Sequence, residues 1–165
     1  MNPFYMRLPR NRPEFVLFMV IVSLLSVNTI APIITFMETE VSWETYVHVL
    51  SILPILWPTV IATVLITYRP AGYLTSRVTS QGDSFRSCVT INILCTVFLM
   101  SIILTVVGAW IGNGAITTEP LEMFLYRWPR NFGIALGIEM LFAQPIARWV
   151  LEKYHIRADS RQIGG

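Results

Sequence analysis

Residues 15–37 read FVLFMVIVSLLSVNTIAPIITFM, a stretch without one ionisable side chain. As a helix rising about 1.5 Å per residue it would be about 35 Å long. The hydrocarbon core of a bilayer is about 30 Å thick and takes about 20 residues of helix. The stretch therefore reads as a membrane-spanning helix. It is too long for a signal-peptide core, and Pro32 follows its one small-residue site, Ala31. It is expected to be retained as a signal anchor.

Three more runs of the same kind lie downstream. No charged residue falls between Glu44 and Arg69 or between Arg86 and Glu119, and Asn131 to Ala147 is interrupted once, at Glu139. The predicted class is all-α, a polytopic membrane protein with four transmembrane helices near 15–37, 47–69, 87–112 and 130–152, then a cytoplasmic tail over 153–165. No segment alternates as a barrel strand would, and open backbone is not tolerated in lipid. Composition agrees. Hydrophobic residues make up 54% and charged residues 13%, against about a quarter charged in a typical soluble domain. Too little polar material remains to cover a soluble globule, and the chain is too apolar for disorder. A net charge of +2 gives no reason to expect nucleic acid as a partner; the expected partner is the bilayer.

The basic residues set the orientation. Arg7, Arg10 and Arg12 precede the first helix, Arg69, Arg77 and Arg86 lie between the second and third, and Arg148, Lys153, Arg157 and Arg161 lie at or beyond the end of the fourth. Only Arg127 and Arg130 fall on the other side, with Glu38, Glu40, Glu44, Glu119 and Glu122. By the positive-inside rule both termini are expected in the cytoplasm, in a bacterial inner membrane. Trp43, Tyr46, Trp110, Tyr126 and Trp128 then fall at the outer interface, and Tyr68, Tyr73, Trp149 and Tyr154 at the inner one.

Sliding the chain by 75 residues superposes Pro54 on Pro129, Pro70 on Pro145, Ser26 on Ser101 and Glu44 on Glu119. Prolines in register mean more than matched leucines, because proline costs several kcal/mol inside a helix. The chain reads as two tandem helical pairs, over 14–78 and 88–152. Each pair starts and ends on the same side, so the repeats run parallel, related by an axis along the membrane normal. Pro54 and Pro129 are expected near helix starts, and Pro70 and Pro145 are expected to kink the cytoplasmic ends.

The second pair carries a family resemblance. Arg130-Asn131-Phe132 through Ala135-Leu136, followed by Pro145-Ile146-Ala147-Arg148, resembles a signature of small bacterial integral membrane proteins, family 2798 of the domains of unknown function. That family's domain is a pair of transmembrane helices that often occurs in tandem. The resemblance covers about 88–152 and is weaker over 14–78, where Pro70-Ala71-Gly72 stands in place of Pro145-Ile146-Ala147 and the Arg-Asn-Phe run is missing. Members often have glutamine about where Glu139 sits. The resemblance implies architecture and a bacterial membrane, and carries no activity.

Glu139 is the one ionisable residue expected near mid-bilayer, where a charge is costly and usually faces the bundle interior or a water-filled path. A helical wheel places Trp128, Phe132, Ala135, Ala143 and Ile146 on its face. An acid among aromatics could hold a lipophilic cation or exchange a proton. The blander reading makes Glu139 a helix-tying residue, bonded to Ser26, Asn92 or Ser101. Gly133–Gly137 and Gly108–Gly112 form two GxxxG pairs that let backbones approach, within the chain or, for the Gly133–Gly137 face, in a homo-oligomer. Arg127 and Arg130 could meet a headgroup, or pair with Glu119 and Glu122. Cys88 and Cys95 lack ligand-like neighbours, and His48 beside the Glu38, Glu40 and Glu44 loop has poor ligand spacing, so no metal and no cofactor is expected.

There is no HExxH, GxSxG, P-loop or GxGxxG, and the loops are too short for a catalytic domain, so no enzyme activity is expected. Two readings of function remain. One is a non-enzymatic structural or accessory membrane protein. The other is a small transporter or efflux protein using Glu139 to bind a proton or cation. The one-sided arginines disfavour exporters built as antiparallel dimers, which need balanced charge to insert both ways.

Overall fold

In this computed structural model residues 9–80 and 82–163 are described, the side chains of 158–163 excepted. Arg7 and the Arg161 side chain, both part of the charge balance above, lie outside the described residues. The elements are α1 (Arg12–Glu38), α2 (Trp43–Val78), α3 (Phe85–Asn113), a single turn α4 (Glu119–Glu122), α5 (Phe124–Ile138), a π-helical turn (Glu139–Ala143) and α6 (Gln144–Ile163). No strand occurs among the described residues. Four helices are long and apolar enough to cross a membrane: α1, α2, α3, and the continuous rod Phe124–Arg157.

Side-chain caps decide where the helices begin. Asn11 accepts the Glu14 amide at 3.0 Å, Ser42 that of Thr45 at 3.1 Å and Ser84 that of Ser87 at 3.2 Å. Each satisfies an N–H that the first turn leaves without a helical partner. At the far end of α3, Gly114 takes φ +65°, the left-handed cap that L side chains resist.

The helices outrun the charge-free windows. α2 starts at Trp43 and runs through Pro70 to Val78, so Pro70 does not end it, and Pro54 lies well inside rather than near its start. Pro129 likewise sits inside α5. α6 continues to Ile163, so most of the expected tail is helix. For Pro54, which lies inside a charge-free run, the physical reason is the solvent. Where no water competes, a chain keeps every helical hydrogen bond it can and tolerates the one that proline removes.

α2 packs against α1 and α3, α3 against α5, and α5, the π turn and α6 against α1. Among the described residues the diagonal pairs, α1 with α3 and α2 with α5–α6, make no close backbone contact. The four rods thus form a closed antiparallel ring. Its interior is polar: Ser23, Ser26, Thr63, Thr67, Ser101, Thr105 and Asn131 are buried, while Ile66 and Leu141 are 68% and 71% exposed. The apolar core is small, formed by Val27, Leu56 and Val60 with Trp57, Met100 and Leu104 against them. Such a surface would be untenable in water and is what lipid requires. Most interior hydroxyls are satisfied within their own helix: Ser23, Thr63 and Thr67 each donate to the carbonyl four residues back, at 2.6, 2.8 and 2.8 Å.

The glycine pairs correct an expectation. A Cβ built on Gly108, Gly112, Gly133 or Gly137 would meet nothing within 4 Å. None of the four lets a neighbouring helix of this chain approach.

Candidate functional site

The site is built around the π turn. Pro145 has no N–H to give, and its ring crowds the carbonyl four residues back, at Leu141. The backbone widens over Glu139–Ala143, and the Gln144 amide closes on the Glu139 carbonyl. This also serves the burial pattern. Asn131, Ala143, Ala147, Leu151 and His155 are all buried, at intervals of four or multiples of four. In a straight α-helix each step of four overshoots one turn by about 40°. A turn closed over one extra residue takes back much of that drift. With the drift reset, Ala147 rather than Ile146 follows Ala143 into the bundle, and Ile146 is 40% exposed, off the face the ideal wheel assigned it.

Glu139 is thereby turned toward α1. Its carboxylate accepts a hydrogen bond from the Ser26 hydroxyl, and the Gln144 side chain reaches the same group. Ser26 is the partner expected for a helix-tying residue; the other two named candidates are engaged elsewhere. Ser101 accepts from the Trp128 indole at 2.9 Å and donates to the Phe98 carbonyl, also at 2.9 Å. Asn92 donates to Thr75 of α2 at 3.1 Å.

The aromatic residues form a separate cluster. Trp128 stacks between Phe124 and Phe132, at centroid distances of 5.8 and 5.9 Å, and both Trp128 and Phe132 meet the Phe98 edge of α3. Trp128 and Phe132 thus face α3 while Glu139 bonds α1. Asn131 adds a further tie to α3, donating to Thr105 at 3.4 Å.

Both ends are tied by charge. At the end where α1 finishes, Arg130 meets Glu38 at 2.5 Å, Arg127 meets Glu119 at 2.5 Å, and Arg127 also lies 3.8 Å from Glu38. Pairing was the expectation for these arginines, but Glu38 is the shared partner, and Glu122 bonds Thr118 instead. At the opposite end Glu14 and His155 meet at 2.9 Å, both buried. Sequence reasoning missed this pair. Glu14 stands just before the first apolar run with nothing to mark its partner; the one signal is that His155 continues the four-residue spacing of Ala143, Ala147 and Leu151.

An open cleft of about 680 Å³ occupies the Glu14 end, between the first turns of α1 and α3. Arg10, Arg12 and Arg148 border it, with Phe15, Phe18, Tyr68 and Asn92 on its walls, and it reaches Gln144. Gln144 therefore stands between the cleft and Glu139. Chemically the arrangement offers an acid with a hydroxyl and an amide beside it, and a basic mouth at one end.

Residues 89–155 match the model of a domain of unknown function, DUF2798. The resemblance expected from the Arg130-Asn131-Phe132 and Pro145–Arg148 runs thus holds for the second helical pair. The matched segment contains Trp128, Glu139 and His155, while Ser26 and Glu14 come from the first pair, outside it. No curated protein and no solved structure matches the chain.

Proposed function

We propose that this chain, whose second helical pair matches a family of unknown function, is a non-enzymatic multi-pass protein of the bacterial cytoplasmic membrane with a structural or accessory role. Its intramembrane polar residues hold four helices in one arrangement. One observation carries this reading: Glu139 is committed to Ser26 on another helix, as Trp128 is to Ser101 and Asn131 to Thr105. Polar side chains used this way are the glue of membrane bundles. Both termini lie in the cytoplasm, on the arginine-rich side. The ring of contacts supports a tandem origin, since turning α1–α2 onto α3–α5–α6 maps each interface onto another. The Gly133–Gly137 face is open within the chain and offers a seat for a second copy.

A small transporter is the second reading, favoured by the cleft that reaches Gln144 beside Glu139. One experiment separates the two. Purified protein in weak buffer is titrated with a lipophilic phosphonium cation while proton release is followed, with Glu139→Gln in parallel. The accessory reading expects identical traces. Release by the native chain that the Gln variant lacks would refute it and establish Glu139 as an exchanging group.

A further inference from the structure

We infer that two copies of this chain pair in parallel through the outward face of α1, with Asn28 of one copy bonded to Asn28 of the other. Along α1, Asn28 lies about 21 Å from Glu14 and about 15 Å from Glu38, the charged residues at the two ends of the span. That depth is near mid-bilayer, and Asn28 is exposed there. At about 100° per residue it sits about 200° round the helix from Ser26, which bonds Glu139 inside the ring. Polar side chains at such depth usually face a bundle interior. Asn28 faces outward.

Its hydrogen bonding is incomplete. One N–H of the side-chain amide donates to the Leu24 carbonyl at 2.8 Å. Thr29 and Thr35 on the same helix donate in the same way, at 2.7 and 2.9 Å, and each spends its single hydroxyl proton by doing so. A carboxamide still has a second N–H and a carbonyl oxygen. Among the described residues neither has a partner, and hydrocarbon offers no water to supply one. Another carboxamide fits, because each then donates to the oxygen of the other. A second copy brings one to the same depth. The arginines gather at one end, so all copies insert the same way. A twofold axis along the membrane normal then sets Asn28 opposite Asn28. The neighbouring residues complete the seam. Leu17, Ile21, Leu24 and Asn28 follow steps of four, three and four, the spacing of a parallel helix pair. Leu17 and Leu24 are 37% and 39% exposed. No charged residue between Glu14 and Glu38 selects an unlike partner, and a single Asn in such a seam fixes register and the number of helices. The contact is distinct from the Gly133–Gly137 face of α5 and does not depend on the role proposed for Glu139.

Cross-linking in lipid vesicles tests the pairing. Full-length protein carrying Cys88→Ala and Cys95→Ala receives Leu24→Cys or, as a control on the exposed face of α2, Ile66→Cys. Oxidation with copper phenanthroline should join the Leu24→Cys chains as dimers and leave the Ile66→Cys chains single, since a disulfide forms only between closely apposed residues. Association is then followed by fluorescence energy transfer as the vesicles are diluted with lipid. Asn28→Leu should weaken it about tenfold, the loss of two interhelical hydrogen bonds. Leucine at a lipid-facing position does not disturb the fold of the single chain. Asn28→Gln, which keeps the amide, should retain most of the association, and Gly137→Leu all of it. Leu24→Cys chains that cross-link no more than Ile66→Cys chains would overturn the assignment. So would association unchanged by Asn28→Leu, or association lost in Gly137→Leu and kept in Asn28→Leu.

Discussion

Removing the Glu139 carboxylate tests whether the bundle uses it as a tie. Ser26 is 5% exposed, so its hydroxyl cannot turn to solvent when its acceptor is lost. It has a local fallback, because Ser23 and Thr29 on the same helix donate to carbonyls four residues back. The loss is then one interhelical hydrogen bond minus partial recovery within α1. Such bonds in membrane proteins average about 0.6 kcal/mol and reach about 1.7. Glu139→Ala should cost about 1 kcal/mol, and Glu139→Gln, whose carbonyl still accepts from Ser26, about 0.5 or less. In a double-mutant cycle with Ser26→Ala the coupling should be about 1 kcal/mol, roughly fivefold in the folding equilibrium. The assay is reversible unfolding in lipid–detergent bicelles, followed by tryptophan fluorescence. Zero coupling would show that the two side chains do not meet. Coupling well above about 2 kcal/mol would show a group held charged at a cost no simple tie explains.

His155→Ala removes one of three hydrogen-bond partners from the Glu14 carboxylate, which keeps the Arg10 amide and the Asn11 side chain, and should destabilise the protein by about 1–2 kcal/mol in the same unfolding assay. Glu38→Gln releases Arg130, while Arg127 keeps Glu119, and should cost up to about 1 kcal/mol, a loss that shrinks when unfolding is repeated in high salt. Deleting the outward-facing Leu141 should turn the π turn into an α turn and keep His155 inward. A disulfide between Glu14→Cys and His155→Cys should then form as in the undeleted chain, and an alanine inserted after Leu141 should abolish it. A phosphatase reporter placed between Thr79 and Ser84 should be inactive, as a cytoplasmic loop demands; periplasmic activity would invert the topology.

Charge-free runs made the four spans legible, because the cost of a charge in hydrocarbon is large and local, whatever the fold. Helix ends were less legible. Ser42 and Ser84 are capping residues readable in the sequence, yet a charge-based reading passes over them, and Pro70 looks like a stop although α2 continues to Val78. The candidate site was half visible. The Glu139–Ser26 tie was among the named options, since few partners exist at that depth. The π turn was hidden because the wheel assumes a constant period, and Pro145 signals a local fault without saying how the backbone absorbs it.

The sequence by itself determined the number of spans, their class and the side on which the arginines gather, since these follow from the price of moving charge and open backbone into lipid. Only the tertiary structure decided which polar residues meet. Whether Glu139 reaches Ser26, whether Trp128 turns to Ser101, and whether Glu14 finds His155 depend on which helices are neighbours and on a rotation of the last rod set by one widened turn. That rotation and that neighbourhood arise from packing summed over the whole ring, and no local pattern of residues encodes them.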